Sequence, residues 1–205
     1  MGRQTSGILG TVKGRVGNVV GAQWKGTPYF RTMAIPSNPN TVAQQLQRSK
    51  MQFVVSIAKT LLISFIQPIW NPKDKNMSGY NSFVKVNIKN ISDVPDLEDM
   101  VSAVGTLEDA RLDSVDYSPV TGDVSVDWDS GIIGNGLPTD LVFVAVVDTS
   151  NKVAYVNSMN TRSAGTAVLH LPAGLTTSSL YGTVVATRGS GAKLISSNGN
   201  FHQFV

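Results

Sequence analysis

Between Val42 and Phe65 the apolar residues Val42, Leu46, Phe53, Ile57, Leu61 and Phe65 recur at helical spacing, and beyond about residue 105 that period gives way to short alternating runs. A period of 3.6 lines one face of a helix and a period of two lines one face of a strand, so the switch calls for helices followed by strands. Val54 and Leu62 widen the stripe, while Gln44, Gln45, Arg48, Lys50 and Lys59 fall largely opposite, which predicts an amphipathic helix facing a core. Pro39 keeps Asn38 extended and Asn40 or Thr41 supplies the N-cap. The helix is expected to run to about Ile66 and to end before Pro68. A second, shorter helix carrying Tyr80, Phe83, Val84 and Val86 is expected to start after Ser78.

Ahead of the first helix lie glycines at 7, 10, 14, 17 and 21. Their spacing would line one helical face, but each Gly costs about 1 kcal/mol relative to Ala in a helix, so extended structure is expected instead. Val16, Asn18, Val20, Ala22 and Trp24 would share one strand face, Lys25-Gly26-Thr27-Pro28 would turn, and Tyr29 to Met33 would return. The Gly14-Arg15-Val16-Gly17 stretch lacks the Gly-Lys-Ser/Thr ending of a phosphate-binding loop. An acidic connector with Pro95 is expected over residues 91–105. After it, the runs Ala110–Val115, Gly122–Trp128, Leu141–Asp148, Lys152–Val156, Thr166–Leu171, Leu180–Thr187 and Ala192–Ser196 read as strands, with a last piece at Phe201–Val205. Short strands separated by Ser-Pro, Asn-Gly and Gly-Ser-Gly turns argue for a two-sheet sandwich. Val124 to Trp128, with its Trp, and Tyr181 to Ala186 resemble the second and penultimate strands of a fibronectin type III or immunoglobulin-like module. The expected fold class is therefore α+β: a Gly-rich N-terminal β-hairpin plus α-helices over 1–90, the connector over 91–105, and an all-β immunoglobulin/fibronectin-III-like sandwich over 106–205.

Charge divides along the same line. Residues 1–90 hold twelve bases and one acid, Asp74, for a balance of +11, whereas residues 91–205 hold five bases and thirteen acids, for −8. Such polarity suits contact with nucleic acid or an acidic protein surface, head-to-tail stacking of copies, basic face on acidic face, or simple attraction of the two halves within one molecule. Chemistry has little to work with. The absence of Cys excludes disulfides, thiolate metal sites and thiol nucleophiles. His170 and His202 are far apart in sequence, and no metalloprotease or nucleophile-elbow motif occurs. Asp123, Asp127 and Asp129 lack calcium-loop spacing and read as a solvated strand face, and nothing marks Glu108 and Asp109 as a catalytic pair. No enzyme activity, cofactor or metal is expected. Met1 leads into a polar stretch with no signal-like apolar run, and Phe53 to Trp70 is interrupted by Ser56, Lys59, Ser64, Gln67 and Pro68, so no membrane contact is expected.

Gly14-Arg-Val-Gly-Asn-Val-Val-Gly-Ala-Gln-Trp24-Lys-Gly26, Asn38-Pro-Asn-Thr41-Val-Ala-Gln44 with Arg48, and Gly79-Tyr80-Asn81-x-Phe83-Val84-x-x-Asn87 resemble an uncharacterised protein family of Bacteroidota and their bacteriophages. The resemblance spans nearly the whole chain. It departs at Tyr29-Phe30, where members tend to carry an aliphatic stretch. It transfers no catalytic residue. The Asn-Pro-x-Thr-x-x-Gln segment is similar to one in phage structural proteins, which implies a virion role, as in a crAss-like phage. The expectation is a non-enzymatic virion component of the tail or head–tail neck, assembled in the bacterial host cytoplasm with copies of itself, as in a ring, and with other virion proteins. Arg15, Trp24, Lys25, Arg31, Arg48 and Lys50 are its expected assembly or nucleic-acid interface. The alternatives are a DNA binder using the basic half, or an adhesion or carbohydrate-binding module whose loops at Asn135-Gly136 and Ser190-Gly191 lack the aromatics it would need.

Overall fold

The structure is a computed structural model, and it describes residues 2–3, 13–35, 37–71, 76–132, 134–189 and 193–204. The glycines at 7 and 10, the loop centre 72–75 and the turn at 190–191 lie outside the described residues. The chain forms two compact units, residues 1–41 and 42–205. The expected boundaries at 90 and 105 both fall inside the second unit.

The first unit is one antiparallel sheet. Strands β1 (Gly2–Arg3), β2 (Gly14–Val16), β3 (Val19–Trp24) and β4 (Thr27–Thr32) stand in the order β1-β4-β3-β2. Extended structure wins over the glycine helix, as expected, but the single hairpin becomes a meander. Gly17 at φ +58° opens a two-residue turn that cuts the expected run from Val16 to Trp24. Lys25 and Gly26, both at positive φ, make the second turn alone, so Thr27 and Pro28 belong to β4, opposite Trp24 and Gln23. Two-residue turns with positive φ match the twist of paired strands.

The second unit begins with α1 (Val42–Thr60), a π-helical turn (Leu62–Ile66) and α2 (Gln67–Trp70). The axis bends by 72° between α1 and the Leu62–Trp70 stretch. Pro68 does not end the helical run. In the π-turn Ile66 N–H reaches back to Leu61 O at 2.9 Å, and a new short helix starts beyond it. Pro68 then sits in a first turn, where its missing N–H has no partner to lose. α3 (Gly79–Asn90) starts where expected, with Ser78 as N-cap accepting from Asn81 N–H at 3.3 Å.

Among the described residues ten strands follow: β5 (Val101–Ala103), β6 (Leu112–Tyr117), β7 (Asp123–Trp128), β8 (Leu141–Asp148) and β9 (Val153–Thr161). Then come β10 (Thr166–His170), β11 (Leu180–Arg188), β12 (Ile195–Ser196), β13 (Gly199–Asn200) and β14 (His202–Gln203). They pair antiparallel as β10-β7-β6, as β12-β11-β8-β9 with β14 also on β11, and as β13-β5. The larger sheet is buried on both faces. Val142, Val144 and Val146 of β8, with Leu180, Val184 and Ala186 of β11, pack against Val124, Val126 and Trp128 of β7. The alternate residues Ala145, Val147, Tyr181 and Val185 pack against Phe65, Ile69, Trp70 and Phe83 of the helices. That two-sided burial explains why these strands read as near-continuous apolar runs.

Residues 91–105 are not a free connector. Ile91, Leu97, Met100 and Ala103 are buried in the helix-side core, and β5 pairs with β13. Asn87 of α3, fully buried, donates to Val101 O at 3.0 Å and accepts from Val101 N–H at 2.7 Å. The Trp70 indole donates to Ser102 O at 2.9 Å, and the hydroxyls of Ser102 and Thr183 meet at 2.6 Å. The helices are thereby stitched to the β region.

Candidate functional site

Alternation along β2, β3 and β4 sorts the N-terminal sheet into two faces. Arg15, Val20 and Arg31 are successive cross-strand partners, and Ala22 with Tyr29 and Trp24 with Thr27 continue the same face. Four of the six expected interface residues, Arg15, Trp24, Lys25 and Arg31, are thus gathered on or at the end of one face. All four are exposed. The Lys25 ammonium stands 5.9 Å from the centre of the Trp24 ring, and Arg15 Nε donates to Gly17 O at 3.0 Å. Residues 1–41 contain five bases and no acid, so no carboxylate of this unit offsets them. A shallow cavity of about 370 Å³ beside Arg15 is lined by Asn18, Thr32, Met33 and Ile35.

The other two residues lie on α1 of the second unit. Two positions along a helix do not share a face, so Arg48 and Lys50 diverge. Lys50 is engaged: its ammonium lies 2.7 Å from Asp93, and that hydrogen bond and charge hold the Asp93 carboxyl below its ordinary value. It fastens α1 to the 91–100 segment rather than presenting a free cation.

What the sequence reading missed is apolar. Val42 is 72% exposed, and Leu46 and Met51 are exposed too, so the first half of the stripe expected to face a core does not. Burial on α1 begins at Phe53 and Val54. The signal was present: up to Ser49 the stripe has one apolar residue per turn among Gln44, Gln45 and Gln47, and it broadens only at Phe53. On the N-terminal sheet Val16 and Trp24 are 68% and 69% exposed. Among the described residues of that unit only Gly21 is buried.

The acidic positions of the β region serve as local ties. His170 Nδ1 and Asp123 pair on the surface, and Ser114 donates to Asp127 at 2.8 Å. Glu108 accepts from the Gly134 and Gly136 N–H groups at 3.0 and 2.9 Å, and Asp109 from Asn198 N–H at 2.9 Å. Among the described residues no three His, Asp or Glu side chains are grouped to hold a metal, and no single helix is long and apolar enough to cross a membrane.

A family model described as a family of unknown function (DUF6266) matches residues 11–197. No curated protein and no solved structure matches the chain.

Proposed function

The chain belongs to the DUF6266 family, and from that premise and its surface chemistry we propose that it is a non-enzymatic structural protein that works as one subunit of a larger assembly, a bacteriophage tail or head–tail neck. One observation carries this reading: the N-terminal sheet presents strands, cations and an exposed Trp, and among its described residues only a glycine is buried. A sheet without an apolar core is marginal in water and gains stability by packing on something else. Arg15, Trp24, Lys25 and Arg31 are the contact residues of the first unit, and the second unit offers its own exposed apolar residues Val42, Leu46 and Met51 on α1. Arg48 contributes charge beside them, whereas Lys50 holds α1 in place through Asp93. The strand orders β10-β7-β6 and β12-β11-β8-β9 also favour a fibronectin-III-like module, which here serves as the rigid body of the subunit. The assembly site is the virion, built in the bacterial host cytoplasm.

The test is size-exclusion with light scattering on the full chain, together with mass spectrometry of purified phage particles that encode it. Concentration-dependent self-association and presence in particles is the expected result. A strictly monomeric chain absent from particles refutes the reading.

A second reading has its own observation. Arg15, Arg31, Lys25 and the exposed Trp24 combine positive charge with a stacking surface, the pairing that suits a nucleic-acid strand. It predicts DNA binding whose affinity falls steeply with salt. Binding that is undetectable at about 50 mM salt removes it.

A further inference from the structure

We propose that the basic face of the N-terminal sheet of one copy docks on the outer face of the β10-β7-β6 sheet of a second copy, so that copies join head to tail. This rests on the assembly reading above and names its interface. On β7 the buried residues Val124, Val126 and Trp128 alternate with Asp123, Ser125 and Asp127, which point outward. The register sets Asp116 opposite Ser125, Ser114 and Thr166 on either side of Asp127, and His170 opposite Asp123. Three carboxylates therefore share this face, Asp113 and Asp129 flank it, and none of these register positions is Lys or Arg. Hydrogen bonds from His170 to Asp123, and from Thr166 and Ser114 to Asp127, hold both carboxyls below their ordinary values, so these two carboxylates stay ionised in mild acid.

Charge complementarity identifies the occupant. The N-terminal unit has five cations without an acid, and Arg15, Lys25 and Arg31 are exposed. Both partners are antiparallel sheets, so their charges fall on a common grid of about 4.8 Å between strands. The apolar parts correspond as well. Beside the acidic face a groove of about 420 Å³ runs between β9 and β10, lined by Tyr155, Asn157, Met159, Val168 and His170. Met159 is 90% exposed and Val168 belongs to both groove and acidic face. Trp24, at the end of the basic face, is the matching side chain. Such a contact is heterologous, and so builds a ring or a filament rather than a closed pair. It is also small: three strands of up to six residues cover roughly 300 Å² in plan, below the about 800 Å² per side of a stable two-body interface. Association of isolated copies is therefore weak and salt-sensitive.

Sedimentation velocity on the full chain from about 10 to 500 µM, at about 50 and 500 mM NaCl, reads this directly. The expected result is association at low salt that falls at least tenfold at high salt. Reversing the basic face (Arg15→Glu with Arg31→Glu) or the acidic face (Asp116→Lys with Asp127→Lys) should abolish it. Mixing the two reversed variants should restore it, because each then offers the face the other lacks. Circular dichroism checks that the variants fold, and where Asp127→Lys unfolds the sheet, Asp113→Lys with Asp116→Lys replaces it. Association that survives reversal of the acidic face overturns this interface while leaving the assembly reading intact. A wild-type chain that stays monomeric throughout also overturns it, and if the chain binds a DNA oligonucleotide through Arg15 and Arg31 instead, the basic face belongs to nucleic acid. Absence from particles removes the assembly reading separately.

Discussion

The most heavily buried charge in the molecule is Arg162, and its role is structural. Its side chain is fully enclosed, with Nη1 donating to Asp109 O at 3.2 Å, Nη2 donating to Glu108 O, and Nε 3.9 Å from Asp140. Asp140 is buried too, and accepts two bonds from Arg188 at 2.5 and 2.7 Å. Burial raises the Asp140 carboxyl, but the Arg188 hydrogen bond, the Leu137 N–H and the charges of Arg188 and Arg162 outweigh it and hold the group below its ordinary value. Removing one partner of a buried ion pair leaves the other uncompensated, at about 3–5 kcal/mol. Asp140→Asn should lower stability by about that amount in urea melts. A depressed carboxyl contributes stability above its unfolded value, near 4, and loses it as pH falls through the folded value. The wild type should therefore lose stability as pH drops from about 5 toward 2. The variant, lacking this carboxyl, should follow a shallower curve whose remaining slope comes from groups such as Asp99, Asp123 and Asp127. None of this network was legible in the sequence, because Arg162 is far from Asp140 and Arg188 along the chain and nothing local marks it as buried.

At the scale of elements, legibility followed periodicity. β8 was read with its observed ends because a run of seven apolar residues closed by Asp148 admits few alternatives, and α3 was found through Ser78. Residues 91–105 were misread because the acids Asp93, Asp96, Glu98 and Asp99 mask Ile91, Leu97 and Met100, which are buried at irregular intervals that fit neither a helical nor a strand period. Pro68 was misread because a π-turn, which frees the next helix to begin at a proline, leaves no compositional trace. The hairpin's second turn was legible in Lys25-Gly26, but not the fact that its sheet would lack a core, since exposure depends on what packs against it. Asn87 tests the stitching of helix to sheet. It satisfies Val101 N–H and the carbonyls of Phe83 and Val101 from a fully buried position. Unsatisfied buried groups cost about 1–3 kcal/mol, so Asn87→Ala should destabilise by roughly that much in chemical denaturation. Hydrogen exchange should show the loss as faster exchange at β5, with β8 and β11 little changed.

At the scale of the whole molecule, both core clusters consist of residues from 42 onward. The second unit thus holds both clusters, while the first, among its described residues, carries cations and exposed apolar side chains and buries only Gly21. Deleting residues 1–41 removes none of the described residues of either cluster. The fragment 42–205 should therefore melt cooperatively within about 3 °C of the full chain, since a shift of 2–4 °C in a protein of this size corresponds to only about 1 kcal/mol. A peptide of residues 1–41 should by itself show no stable sheet by circular dichroism, because a few strands without an apolar face do not hold in water. The same deletion should remove the salt-sensitive association of the full chain. If the fragment instead unfolds, the N-terminal sheet is part of the folding unit and its exposed cations and Trp24 are incidental to a stabilising role. If it folds and still associates, the contact lies elsewhere, with the exposed Val42, Leu46 and Met51 of α1 the next surface to mutate.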